Sequence, residues 1–140
     1  MEMMFLILKN QTLELIMETK RVIIYLLAIL FLSCEKNNQF FVDSINGNDN
    51  NSGSKNEPFY SLEKINDTKL TDGSSIFLAN GSMFKGSINL INNKNITITN
   101  YIGRSESNDK PIIDANGLLS GILIENSSDI NISNIHITGN

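Results

Sequence analysis

Residues 87–102 read SINLINNKNITITNYI, and residues 121–136 read GILIENSSDINISNIH. Set one over the other, Ile88 falls on Ile122, Leu90 on Ile124, Ile96 on Ile130 and Ile98 on Ile132. The polar interruptions coincide as well: Asn92 meets Asn126, Asn95 meets Asp129, and Asn100 meets Asn134. Within each copy Ile or Leu returns at every second position, the period of a strand whose alternate side chains share one face. The same residues form no i, i+3, i+4, i+7 series, so an amphipathic helix is excluded here.

Outward from this pair the alternation continues in SIFLA (75–79) and IHIT (135–138). Short connections rich in Asn, Ser and Asp suit hairpins, and an antiparallel meander is the default for strands so closely spaced. Recurrence of a whole strand-turn-strand unit argues instead for parallel stacking, because such a unit cannot bury its apolar face alone. The segment GRSESNDKP (103–111) reads as a loop insertion that lengthens the interval between copies. In a parallel stack, a turn Asn lies roughly 4.8 Å from its counterpart and its amide can bond up and down as a ladder. Solvated turns without stacking are the alternative explanation of the Asn residues.

Composition narrows the functional classes. A chain of 140 residues with a formal charge of −4 is in the one-domain range. Its Lys and Arg residues are scattered, without the basic stripe that tracks a phosphate backbone, so nucleic acid is excluded as a partner. Triplets such as Asn80-Gly81-Ser82 and Asn95-Ile96-Thr97 follow from the Asn-rich composition and are not read as glycan sites.

The N-terminal third has a different pattern. Val22 to Leu32, VIIYLLAILFL, is an apolar run preceded by Lys20 and Arg21 and followed by Ser33 and Cys34. Its length suits the core of an export signal and is short for a lone membrane span. With the single cysteine placed directly after a small residue, the segment resembles a bacterial lipoprotein signal, although Phe31 and Leu32 are bulkier than usual. The resemblance implies lipidation at Cys34 and a membrane partner through that anchor, on the outer membrane or cell surface. An ordinary secretory signal with an incidental cysteine is the alternative, and both readings export the protein. Met17 stands where such a signal begins, so residues 1–16 are expected to be an over-extended start; a genuine helix over MFLILKNQTLELIM (4–17) is the alternative and would place a second apolar segment ahead of the signal. The resulting division is 1–34 signal region, 35–39 tether and 40–140 folded domain.

Between these regions lies FFVDSINGNDNNSGSKNEPFYSLEKI (40–65), an amide-rich loop with apolar anchors at both ends. Asn46, Asn48, Asn50 and Glu57 fall at positions 1, 3, 5 and 12 of a calcium-loop spacing. Position 6 is Asn51 where a glycine is needed, and position 1 lacks its Asp, so a structural clasp is the better reading. His136, the only histidine, alternates with Ile135 and Ile137 and should face solvent without metal or triad partners.

Phe41-Val42-Asp43, Asn46-Gly47-Asn48-Asp49, Ser52-Gly53, Glu57-Pro58-Phe59 and Ser61-Leu62, followed by SSIFLANGSMFKG (74–86), resemble the N-terminal entry of pectate-lyase-like right-handed parallel β-helix proteins. Ser54 replaces the usual Thr after Ser-Gly, and Gly73-Ser74 replaces the usual Gly-Asp. The resemblance covers residues 40–140. It implies an all-β fold, a right-handed parallel β-helix (solenoid) with a short N-terminal capping helix, truncated after about three coils. SLEKINDTKL (61–70) would be that helix, with Ser61 as N-cap and Leu62, Ile65 and Lys69 or Leu70 on one face.

The function implied is that of a fragment of a surface-tethered protein acting on or binding polysaccharide, as a lyase or glycoside hydrolase. A non-catalytic adhesin or glycan-binding protein is the alternative. In polysaccharide lyases of this kind, calcium-binding Asp residues and a basic Lys or Arg lie on later coils. Glu106, Asp109, Lys110, Asp114, Glu125 and Asp129 do not align with them. Accordingly no catalytic, cofactor-binding or metal-binding residue is assigned, and calcium is left to a longer parent.

Overall fold

A computed structural model describes residues 2–32 and 38–139. The chain divides into two units, Met1–Lys36 and Asn37–Asn140. The first holds a single helix of 31 residues, α1 (Glu2–Leu32). Residues 2–16, expected from sequence to precede the true start, are continuous in this helix with the apolar run that follows. Apolar side chains along it, including Phe5, Ile16 and Ile23, are exposed. Among the described residues no helix is long and apolar enough to cross a membrane. Ser33 and Cys34, and the tether up to Asn37, lie outside the described residues.

The second unit contains β1 (Gln39–Val42), α2 (Leu62–Asp67), β2 (Ser75–Ala79), β3 (Met83–Lys85), β4 (Ile88–Ile91), β5 (Lys94–Tyr101), β6 (Ile112–Asp114), β7 (Ile122–Glu125), β8 (Ser128–Ile132) and β9 (His136–Thr138). Every strand pair is parallel. Three sheets result, ordered β1-β2-β5-β8, β3-β6-β9 and β4-β7. The register reproduces the sequence superposition: Ile88 pairs with Ile122 and Leu90 with Ile124, while Ile96 pairs with Ile130 and Ile98 with Ile132. The antiparallel meander is thereby excluded.

The expected all-β solenoid does not describe this chain. Among the described residues the three sheets share no strand, and no hydrogen-bonded ladder joins them into a closed solenoid. Helical segments of 31 and 6 residues accompany them, so the architecture is a mixed α/β one with parallel sheets. The physical reason for the difference is that alternation reports which face of a strand is apolar, and a repeat reports which strands stack; neither specifies closure. Reading residues 1–34 as an export signal also removed the longest helix from the fold class.

Burial explains the stacking. Ile76, Leu78, Ile88, Leu90, Ile96, Ile98 and Ile113 are inaccessible to solvent, and Val42, Phe59, Leu62, Ile65 and Phe84 join them in one cluster. Each strand contributes every second residue, as β4 shows by burying Ile88 and Leu90 while exposing Asn89 and Ile91. On β7, β8 and β9, the last strand of each sheet, the same inward positions are less covered: Ile124, Ile132 and Ile137 are 44%, 38% and 45% exposed.

The corners between strands depend on Asn and Asp. Asn92 and Asn95 bracket the β4–β5 turn at φ of 57° and 55°, and Asn126 and Asp129 bracket the β7–β8 turn at 47° and 58°. This left-handed region is costly for most side chains and tolerable for Asn and Asp, whose short polar groups bond locally. The two turns also stack. Asn92 N donates to Glu125 O at 3.0 Å, and Ser128 N donates to Asn93 O at 3.1 Å. Ser127 Oγ accepts from Asn93 N at 2.9 Å and donates to Leu90 O at 3.1 Å. Of the amide ladder anticipated for stacked turn asparagines, one bond is present, from Asn100 Nδ2 to buried Asn80 Oδ1 at 2.7 Å.

Helix α2 closes the free edge of β4. Ser61 caps it by accepting from Lys64 N, and Leu62 and Ile65 face the core. The helix ends at Asp67, one turn short of the expected Leu70, because Thr68 turns extended and its N–H bonds to Ile65 O. Asn66 then acts like a strand: its Nδ2 donates to Ser87 O at 2.8 Å and its Oδ1 accepts from Asn89 N at 2.8 Å. An unpaired strand edge is a template for association, and this side chain occupies it. Replacing Asn66 by Ala should cost about 1 kcal/mol in urea unfolding, against about 2 to 5 kcal/mol for Ile98→Ala in the core. Equal losses would show that the edge contact is worth as much as core burial.

Candidate functional site

The loop from Asp43 to Ser61 is an ordered clasp on the outer edge of β1. Phe41 N donates to Gly53 O, Phe59 N donates to Phe41 O, and Asp43 N donates to Phe59 O, all at 2.8 to 2.9 Å. Asp43 is buried and its carboxylate is spent within the loop: Oδ1 accepts from the backbone of Ile45 and Asn46, and Oδ2 from Asn46 Nδ2. Gly53 has φ of +77°, and a Cβ there would lie 2.5 Å from the Phe59 ring, so both conformation and packing require glycine.

The amides read as a calcium-loop spacing are likewise engaged internally. Asn48 Oδ1 accepts from Asn50 N, Asn51 Nδ2 donates to Pro58 O, and Glu57 Oε2 accepts from Ser52 Oγ. Among the described residues no three His, Cys, Asp or Glu side chains are grouped to hold a metal ion.

Asp49 Oδ1 accepts from the backbone N–H groups of Tyr60 and Ser61 at 2.8 and 2.9 Å, which fixes the exit of the clasp into α2. Partial burial raises the Asp49 pKa, but hydrogen bonds from Ser61 and Tyr60 and the charge of Lys64 outweigh it, leaving the carboxyl below its ordinary value.

Two clefts border the clasp. One, of about 240 Å³, is lined by Ser44, Tyr60, Ser61, Met83 and Lys85 among others. Strand period places the last two: β3 buries Phe84 and turns Met83 and Lys85 outward. Tyr60, held at its backbone by Asp49, is 52% exposed. A ring, a thioether, an ammonium and hydroxyls around one concavity can stack an apolar ring face while bonding hydroxyl groups at its edge.

The second cleft, of about 200 Å³, is lined by Asp43, Lys55, Asn56, Tyr101 and Arg104 among others. Arg104 Nη2 donates to Asn56 O at 2.6 Å and ties the 103–109 loop to the clasp. Tyr101 packs edge-on against Phe41 with ring centroids 5.0 Å apart, and Phe41 stacks on Phe77 at 4.7 Å. Burial first, then the negative charge of Asp43, push the Tyr101 phenol up to about 12, with Arg104 opposing. Tyr101 therefore remains a neutral hydrogen-bond donor at any physiological pH.

His136 is exposed on β9 in register with Ile112, facing away from the core as expected. The carboxylates considered from sequence are dispersed over separate elements: Asp114 ends β6, Glu125 ends β7 and Asp129 lies in β8. Asp114 Oδ1 accepts from Asn116 N in its own turn. Sequence reasoning missed Tyr60, Met83, Lys85, Lys55, Tyr101 and Arg104. The outward phase of β3 and β5 could have flagged Met83, Lys85 and Tyr101, but nothing local places the clasp beside them.

No family model and no curated protein matches the chain. Solved structures do. Native and selenomethionine crystal structures of GH136 lacto-N-biosidase from Eubacterium ramulus superpose with a TM-score of 0.61 at 24% identity. The matches cover 72% and 73% of this chain and 20% of those chains, so the chain spans about a fifth of their length. At that identity the likeness establishes a shared fold.

The Tyr101 environment has a measurable consequence. Tyrosinate absorbance should show one of the three tyrosines ionising at about 12 instead of 10.0, and Asp43→Asn should lower that value. Because the folded state holds the phenolic proton more tightly than the unfolded chain, stability should be unaffected below the ordinary pKa of 10.0 and fall as pH rises toward about 12. A Tyr101 phenol ionising at the ordinary 10.0 would refute its placement.

Proposed function

We propose that this chain belongs to an exported, membrane-anchored protein that binds or acts on polysaccharide, and that the Tyr60–Met83–Lys85 cleft contacts the sugar. The observation that carries the reading is the shared fold with a lacto-N-biosidase, a carbohydrate-active enzyme by name. It favours a glycoside hydrolase over a lyase, the two parent activities that the sequence resemblance left open. The cleft chemistry agrees: an exposed aromatic ring with flanking hydroxyl and ammonium groups suits a sugar, which has an apolar face and a polar rim. In this reading Tyr60 supplies the stacking surface and Lys85 a hydrogen-bond donor, while bond cleavage is assigned to no residue of this chain.

Titrating a panel of neutral and acidic oligosaccharides into the full chain, followed by protein NMR shifts, tests the proposal. At least one saccharide class should bind, and Tyr60→Ala should weaken it about tenfold, the scale of one lost aromatic contact. Failure of every carbohydrate to bind would end this reading. Export and anchoring rest on Lys20, Arg21, the apolar run to Leu32 and Cys34. Mass spectrometry of the membrane fraction should find a mature N-terminus at lipid-modified Cys34. An unmodified cysteine, or processing elsewhere, would remove the anchor and leave the carbohydrate proposal standing.

A further inference from the structure

The chain contains three Asn-Gly dipeptides, Asn46-Gly47, Asn80-Gly81 and Asn116-Gly117. As sequences they are equally prone to one reaction, because glycine has no Cβ to shield its amide nitrogen from the neighbouring side-chain carbonyl. The fold makes them unequal. Gly47 N donates to Asp43 O at 2.8 Å, the Asn46 amide is bonded to Asp43 Oδ2, and a Cβ on Gly47 would meet Phe59 O at 2.1 Å. At the second pair Gly81 N donates to Asp109 O at 2.8 Å, and buried Asn80 accepts from Asn100 Nδ2. In both, the attacking nitrogen and the side chain it must reach are held apart by hydrogen bonds.

The third pair has neither restraint. Asn116 and Gly117 are both exposed, at φ of 50° and 80°, in a turn closed by Leu118 N donating to Ala115 O at 2.9 Å. Positive φ at both central residues is the geometry in which Asn-Gly is favoured, and it leaves the Gly117 N–H pointing away from the turn bond. No hydrogen bond from that N–H, and none from the Asn116 amide group, occurs among the described residues. Nothing lies within 4 Å of a Cβ built on Gly117. Opening the turn requires breaking one backbone bond and the contact from Asn116 N to Asp114 Oδ1, both at the surface.

We infer that Asn116 is a site of spontaneous deamidation, selected by the fold from three chemically equivalent candidates. The Gly117 nitrogen forms a bond to Asn116 Cγ, the bond from Cγ to the side-chain nitrogen breaks, and ammonia leaves with the proton lost from Gly117. Water then opens the cyclic imide at either carbonyl, giving Asp or isoAsp, so one water is consumed for each ammonia released and no oxidant or reductant takes part. The product places a second carboxylate beside Asp114, at the cleft lined by Asp114, Gly117, Thr138 and Gly139. An isoAsp also lengthens the backbone by one methylene and is incompatible with the 115–118 turn bond.

The full chain is incubated in mildly alkaline buffer, digested and mapped by mass spectrometry for the NH-to-O mass change, with chromatographic separation of isoAsp. A parallel sample is held in urea. In the folded protein, modification at Asn116 should run at least about tenfold faster than at Asn46 or Asn80, whose reaction needs rarer opening of bonded structure. In urea the three rates should converge. Folded-state modification of Asn46 or Asn80 at a rate matching Asn116 would overturn the inference, as would an Asn116 rate that stays behind the other two in both samples.

Discussion

Burial of Ile88, Leu90, Ile96 and Ile98 imposes two demands that must be met together. Each residue needs a parallel neighbour to cover its side chain, and the chain must change direction between Ile91 and Lys94 without exposing them. Asn92 and Asn95 meet the second demand by accepting left-handed backbone, and Asn126 and Asp129 do the same one repeat later. Because both corners bend the same way, within about 10° in φ, the strands leaving them align and the Ile rows coincide. Core packing and turn chemistry are thus one constraint; a β-branched residue at any of these four positions would strain the turn and shift the register with it.

Around this stack, polar side chains do work that backbone alone cannot. Asn66 completes the edge of β4, Asn80 and Asn100 bond across neighbouring strands, and Asp43 and Asp49 gather the backbone N–H groups of the clasp. Buried amides and carboxylates are costly unless satisfied, and no buried side-chain nitrogen or oxygen is left without a partner among the described residues. The high Asn content therefore has a conformational use at the corners and a bonding use at the edges. The clasp has a further role, since its two flanks form the walls of both clefts.

The candidate site arises from this secondary effect. Met83 and Lys85 point outward because Phe84 points inward, and Tyr101 is outward-facing because Ile96 and Ile98 are buried. An outward residue on a strand is ordinarily just solvated. Here the clasp returns Ser44 and Tyr60 to the first group and Lys55 and Asn56 to the second, converting sheet surface into concave surface. The likeness to a lacto-N-biosidase concerns this framework, which spans about a fifth of that enzyme.

The strands of the repeated unit, their parallel partners and their register were legible in the sequence, because period-two alternation and a repeat of 34 positions are local and additive signals: Ile88 pairs with Ile122 as their alignment required. The three-residue strands β3 and β6 were not, being too short to show a period. The N-cap at Ser61 and the ordered clasp were legible for the same reason, each depending on residues near one another in the chain. Whether the sheets close was not legible, and the tertiary structure decided against a closed solenoid. It also decided that Asn80 is the amide partner of Asn100, that Tyr101 is shielded by Phe41, and that Lys55 and Arg104 share a cleft. Those outcomes depend on distances between segments up to about 60 residues apart, set by how whole elements pack, and no pattern within a single strand or turn encodes them.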